Sequence, residues 1–170
     1  MRNQQPEYLC ELLDRHGPAL ALYAKTWCDC PDDVVQNALL KLVSLSSEPD
    51  DALAWLYRAV RNAAISARRA TKRRRRYEAE AASQGRRWFR SSVAERLDAQ
   101  TVADGLKRLP EPEREVMVAR IWGGLTFQQI AEVAGCSSST AHRRYATGLA
   151  MLRERIDTTS CPTSNRTDPG

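Results

Sequence analysis

Leu125-Thr126-Phe127-Gln128-Gln129-Ile130-Ala131-Glu132-Val133-Ala134-Gly135-Cys136-Ser137 carries two helix-start signals and one helix-stop signal within 13 residues. Thr126 and Gln129 have the spacing of a capping box, in which each side chain satisfies a backbone donor of the other. Leu125 and Ile130 fit a hydrophobic staple across the same helix start. Ala131 is small, as a crossing helix requires. Gly135 can take the left-handed conformation that closes a tight C-terminus. Ser137 can cap the helix that follows. The stretch predicts a short helix, a tight turn and a second helix.

That second helix divides into two faces. Ala141, Tyr145, Leu149, Leu152 and Ile156 make an inward stripe. Ser139, His142, Arg143 and Ala146 lie on the other side, with Ser138 at the exposed start and Thr140 and Arg144 flanking. A helix packed by one side and offering Ser, His and Arg near its N-terminus suits reading of the DNA major groove. Arginine pairs with two acceptors of guanine, and serine bonds bases or phosphates. Thr126, Ser138, Ser139, Thr140, His142, Arg143 and Arg144 are therefore the expected DNA contacts of this unit. A helical hairpin with a polar outer face is the plainer alternative. Many regulator families share this unit, so it does not by itself say which kind of DNA binder carries it.

Working back along the chain, Leu109-Pro110-Glu111-Pro112-Glu113 starts a helix. Its prolines sit in the first turn and its acids at the positive end of the helix dipole. Val116, Met117, Ile121 and Trp122 supply its apolar face, and Gly123-Gly124 ends it. Val93, Leu97, Val102, Leu106 and Leu109 form an earlier helical stripe. Residues 77–92 are polar, contain Gly85 and show no sustained period, so they read as a flexible linker. Trp88 and Phe89 within it have no assigned role.

The N-terminal part also reads as helices. Leu9, Leu12, Leu13, Leu20, Tyr23, Ala24 and Trp27 recur at three- and four-residue steps, with Gly17-Pro18 expected to kink or divide the segment. A second helix begins at Pro31-Asp32 and buries Val34, Val35, Ala38, Leu39 and Leu42. Ser44 to Asp51 reads as a loop. A long third helix is expected from about Asp51 to Arg76, with Leu53, Leu56, Tyr57, Val60 and Ala64 inward. The tail, 157–170, is rich in Thr, Ser, Pro and Asn and is expected to be disordered. The predicted fold class is all-α, with two small helical domains (1–76 and 93–156) joined by the linker.

Charge separates the parts further. Residues 1–53 hold four basic and nine acidic residues, residues 54–90 twelve and two, and residues 91–170 ten of each. Seven of the nine positions from Arg68 to Arg76 are basic. A polyanion is drawn to the middle block and repelled by the first. The five cysteines are scattered, and Cys28-Asp29-Cys30 lacks the second pair that a zinc site needs. No phosphate loop, metal set or nucleophile–base motif stands out, so no cofactor and no catalysis are expected. The apolar runs are far shorter than the roughly 20 residues of a membrane span. The N-terminus lacks a secretory core. A cytoplasmic protein without membrane insertion is expected.

Three segments together resemble one family. Asp32-Asp33-Val34-Val35-Gln36-Asn37-Ala38-Leu39-Leu40-Lys41-Leu42 looks like the polymerase-binding segment of the extracytoplasmic-function (ECF) sigma factors of bacterial RNA polymerase. Ala54-Trp55-Leu56-Tyr57-Arg58-Ala59-Val60-Arg61-Asn62-Ala63-Ala64-Ile65, with its following arginine run, resembles their promoter-melting helix. Leu109 to Ile156 resembles their minus-thirty-five-reading domain. The resemblance covers roughly Leu9 to Ile156, with the three motifs in the family's order.

The resemblance implies a sigma factor that directs promoter-specific initiation by binding core RNA polymerase and promoter DNA. It implies a core-polymerase surface of Asp32, Asp33, Gln36, Asn37 and Leu40. It implies downstream-element contacts from Arg58, Arg61 and Asn62 to opened bases and from Arg68, Arg69, Lys72 and Arg73 to phosphates. Trp55 and Tyr57 could stack on bases, but at helical spacing with Leu56 and Val60 such residues are more often core. The family also admits an anti-sigma factor as partner. The chain departs from the pattern at Asn37, where an acid is usual, at Ser66, where Asp is usual, and at Ala141, where a larger aliphatic is usual. The alternatives are a helix-turn-helix transcriptional regulator that binds duplex DNA without sigma activity, and a protein-interaction module with a basic helix.

Overall fold

The computed structural model describes residues 6–81 and 105–159. Trp88, Phe89, most of the 77–92 segment, residues 93–104 and the tail from 160 onward lie outside the described residues. Helix α1 spans Pro6–Lys25, α2 Pro31–Val43, α3 Ala52–Ala81, α4 Glu111–Ile121, α5 Phe127–Ala134 and α6 Ser138–Thr159. No strand occurs among the described residues. The fold is all-α.

Two expectations shift. Pro18 lies inside α1, which continues unbroken around it. Gly17 is buried at that point and Pro18 is exposed, so the ring faces water rather than a neighbouring helix. Helix α3 runs to Ala81, past the end expected near Arg76. Every side chain from Arg68 to Arg76 in its Arg-rich half is exposed.

Local signals set the helix starts. Asp51 accepts a hydrogen bond from the Ala54 amide at 2.9 Å through Oδ1 and so caps α3. Pro31 occupies the first turn of α2, with Asp32 and Asp33 beside it. Thr126 and Gln129 form the complete capping box: Oγ1 of Thr126 accepts from the Gln129 amide at 3.2 Å, and Oε1 of Gln129 accepts from the Thr126 amide at 2.7 Å. Gly135 has φ 66°, the left-handed conformation that closes α5.

Helices α1, α2 and α3 pack on one another through Leu20, Tyr23, Val35, Leu42, Leu56 and Val60. Helices α4, α5 and α6 pack around Val116, Met117, Leu125, Ile130 and Ala141. Small residues permit the close crossings. A Cβ at Gly148 would come within 2.9 Å of Met117. The two helical domains also touch: α1 packs against α4 and α3 against α5, and the buried core is continuous across the joint.

Candidate nucleic-acid interface

The helix-turn-helix is built as its spacing requires. Oγ of Ser137 accepts from the Thr140 amide at 3.2 Å, starting α6. Arg120 braces the turn: its Nη1 donates to the Leu125 carbonyl at 2.7 Å, and its guanidinium stands 5.0 Å from the centre of the Phe127 ring. Phe127 meets Tyr145 and His142 edge to face, at 5.6 and 5.0 Å between ring centres. These contacts fix the angle at which α6 leaves the turn. Ser138, Ser139, His142 and Arg143 are all exposed; Thr140 and Arg144 are half-buried at the edges of that face. Thr126 is exposed, and its hydroxyl serves the capping box.

The basic face of α3 is different. Arg58, Asn62, Arg69, Lys72 and Arg73 are exposed. Arg61 is half-buried: its Nε donates to Oε1 of Glu115 at 2.5 Å. Arg68 pairs with Glu111. Both guanidiniums also stand 5.3 Å from the Trp27 ring centre, so Trp27 lies beneath two cations. Two of the seven expected downstream contacts are thus held by carboxylates of α4.

Glu115 sits at the centre of this joint, with 2% of its surface exposed. It accepts from Arg61 and from the Tyr23 hydroxyl, the latter at 2.6 Å. A buried carboxylate needs such partners, because desolvation costs several kcal/mol per ion. Burial pulls the Arg61 guanidinium pKa down, and the hydrogen bond and charge of Glu115 more than restore it, leaving it above its usual value. Burial, reinforced by the charge of Glu115 and their hydrogen bond, raises the Tyr23 phenol well above its usual range.

Two further contacts complete the joint. Nε2 of Gln129 donates to Oδ2 of Asp51 at 2.6 Å, so the caps of α5 and α3 are tied together. Gly123 lies flat on Tyr57, where any Cβ would stand 2.5 Å from the phenol oxygen. Tyr57 is fully buried and belongs to the core, not to a base-stacking surface. Trp55 is half-buried and lines a cleft of about 310 Å³ with Pro49, Asp50, Asp51, Arg58 and Glu132.

Sequence reading missed Glu115, Tyr23 and the Gln129–Asp51 bond as joint residues. One signal was present: Glu115 adjoins the apolar run Val116-Met117-Val118, where a solvated acid is out of place.

Helix α2 presents the third surface. Asp32, Asp33, Gln36, Asn37 and Leu40 are exposed, while Val34, Val35, Ala38 and Leu42 are buried beneath them. Leu40 is 58% exposed, which no local packing explains. An open groove of about 590 Å³ runs between α1 and α2, lined by Leu13, Pro18, Ala21, Val35, Leu39 and the edge of Asp32. No helix among the described residues is long and apolar enough to cross a membrane.

A basic helix, an exposed acidic helix face and a braced helix-turn-helix in one chain fit the class of helical proteins that meet both DNA and a protein partner. Known families agree with that class. The model of Sigma-70 region 2 matches residues 12–74, and that of Sigma-70, region 4 matches residues 105–154. Among solved structures, the chain is similar to the sigma factor RpoE from Bartonella quintana in its complex with the anti-sigma factor NepR. The identity is 24%, the coverage 90% of this chain and 98% of that one, and the TM-score 0.64. It is also similar to CnrH in complex with the cytosolic domain of CnrY, at 25% identity, 94% coverage of each chain and a TM-score of 0.62. No sequence among curated proteins matches. The chain belongs to the sigma-70 family, in its ECF group, and is a transcription initiation factor that directs RNA polymerase to promoters.

Proposed function

We propose that the three surfaces divide the work of initiation among named residues. Asp32, Asp33, Gln36, Asn37 and Leu40 dock on a basic surface of core polymerase. Arg58, Arg61 and Asn62 contact opened bases of the downstream element, and Arg68, Arg69, Lys72 and Arg73 follow its phosphates. Ser138, Ser139, His142 and Arg143 read the upstream element, with Thr126, Thr140 and Arg144 on the flanking backbone. Residues 1–76 and 93–156 act as the two working domains, with 77–92 between them. The protein acts in the cytoplasm by binding, not by catalysis. Two individually weak DNA contacts on one chain become strong together, because the second is intramolecular.

The observation that carries this reading is the exposed α2 face. Two carboxylates, two amides and a leucine stand in water above a fully packed apolar stripe. A helix that needed only to cover its own core would not expose Leu40. An anti-sigma partner is part of the proposal, since the similar RpoE was solved with one.

Run-off transcription with purified core polymerase tests the whole. Promoter-specific transcripts that depend on this chain are expected. Asp33→Ala with Gln36→Ala is expected to abolish core binding and leave duplex binding intact. A chain that binds duplex operators but never polymerase would be a plain gene regulator.

A further inference from the structure

The connection between α1 and α2 places two thiols one residue apart. Thr26-Trp27-Cys28-Asp29-Cys30 joins Lys25, the end of α1, to Pro31, the start of α2. Cys28 is buried with the core, and its Sγ donates to the Ala24 carbonyl at 3.6 Å. Cys30 is half-buried and stands at the N-cap of α2. Its carbonyl accepts from the Val34 amide at 3.3 Å, but its side chain caps nothing. A serine or aspartate at that position would supply the missing cap. The Cys30 side chain instead meets the Cys28 sulfur, which also accepts from the Cys30 amide. One sulfur is thus seated in the core, and a second, nearer the surface, stands within its reach.

We propose that Cys28 and Cys30 are an oxidisable pair: a peroxide joins them in a disulfide that reshapes the start of α2 and weakens docking on core polymerase. The functional half rests on the assignment of α2 to polymerase docking. Cys30 is the more exposed sulfur and meets the oxidant first. Its thiolate attacks one oxygen of hydrogen peroxide, the O–O bond breaks, and the leaving hydroxide takes up a proton as water. Cys30 is then a sulfenic acid. The Cys28 sulfur attacks it: the S–S bond forms, the S–O bond breaks, and the Cys28 proton leaves with the hydroxyl as a second water. The two thiols lose two electrons, and the peroxide gains them. Burial pushes the Cys28 thiol up to about 11, against the pull of the Cys30 amide; the charge and thiol of Cys30 push the same way as burial. Cys28 therefore stays protonated in the resting chain and reacts second, with a sulfur already beside it.

The bridge moves Cys30 rather than Cys28. A disulfide holds its sulfurs about 2 Å apart, closer than any hydrogen-bonded pair of thiols. Cys28 is anchored by the core, so Cys30 must swing inward. The first turn of α2 hangs from the Cys30 carbonyl, and Asp32 and Asp33 follow two and three residues later. Turning Cys30 therefore displaces the acids that lead the exposed α2 face. Helix α6 has no part in this connection, so its DNA-facing side is left as it was. A small-ring, partly exposed disulfide is of the labile kind that cellular dithiols reduce again. In a reducing compartment disulfides are transient, which suits a reversible signal.

The test treats the reduced full chain with hydrogen peroxide at neutral pH, then with iodoacetamide, and digests it with trypsin without reduction. Cleavage after Lys25 and Lys41 leaves both cysteines in one peptide, residues 26–41. That peptide is expected unalkylated and lighter by two hydrogens in the wild type, to revert with dithiothreitol, and to be absent from Cys30→Ser. Binding to purified core polymerase is measured on the same samples. Oxidation is expected to weaken it about tenfold, an ordinary size for coupling between two sites. Dithiothreitol should restore it. Cys30→Ser, whose hydroxyl suits the N-cap, should bind alike before and after peroxide. Binding of an upstream-element duplex should stay constant throughout. A peptide whose thiols both remain alkylatable, or that gains oxygen without a bridge, overturns the proposal. So does a bridge that leaves polymerase affinity unchanged, or a loss of affinity that persists in Cys30→Ser. If the reduced chain never binds polymerase, the docking assignment of α2 fails and takes the functional half with it, while the peptide mass still decides the bridge.

Discussion

The chain carries two faces suited to DNA, and the structure treats them oppositely. On α6, Ser138, Ser139, His142 and Arg143 stand open to solvent, braced from behind by Phe127 and Arg120. On α3, Arg61 and Arg68 have the same chemistry, but they are spent on Glu115 and Glu111. The difference teaches that a cation's place in a binding surface depends on what else can reach it. An arginine with a buried internal partner is a structural residue first.

Four substitutions or labelling experiments probe this contrast. The largest effect is expected from Arg61→Ala. It leaves Glu115 buried beside Tyr23 alone, and a broken buried pair costs about 3–5 kcal/mol. Urea unfolding followed by circular dichroism should show that loss. A cost under about 0.5 kcal/mol, the usual range for surface substitutions, would place Arg61 with the open face instead.

Arg143→Ala should behave in the reverse manner. Stability should stay within about 0.5 kcal/mol of the wild type. Affinity for an upstream-element duplex should fall by about 1–3 kcal/mol, with relaxed preference at one base pair. Equal binding and unchanged preference would remove α6 from the recognition role.

A smaller effect is expected at Thr126. Thr126→Ala removes the hydroxyl that accepts from the Gln129 amide and should cost about 1 kcal/mol of stability. Loss of the cap also loosens Gln129, whose amide ties α5 to Asp51. The cost should therefore exceed that of a cap isolated within one unit, and a double-mutant cycle with Asp51→Ala would measure the coupling.

The smallest effect concerns reactivity. Burial pushes the Cys28 thiol up to about 11, while Cys10 is exposed. At neutral pH, iodoacetamide should label Cys10 well before Cys28, because only the thiolate reacts. Simultaneous labelling would mean that the end of α1 opens readily.

Much of this was legible in the residues themselves. The capping box at Thr126 and Gln129, the left-handed Gly135 and the Ser137 cap are local devices whose partners lie within four residues, and all form as the spacing demands. The apolar stripes of α2 and α3 are buried as their periods require, except for Leu39 and Leu53, which are half-buried. Where a residue has both a local and a distant option, spacing leaves the choice open. Gly17-Pro18 does not divide α1, and the helix carries Pro18 with its ring exposed. Tyr57 fits the inward stripe of α3 and also a stacking role, and the structure seals it in the core against Gly123.

What the sequence determined by itself is the set of helices, the helix-turn-helix, the uneven charge and most of the buried faces, though Ile121 and Trp122, expected on the apolar face of α4, stay exposed. Each follows from interactions between residues near in the chain, where spacing alone settles which side chains meet. Only the tertiary structure decided which charges are spent. Tyr23 and Glu115 are 92 residues apart, and Arg61 and Glu115 are 54 apart. No period or motif links them. They meet because two helical units bury one continuous core, and the carboxylate carried into that core had to find its partners there.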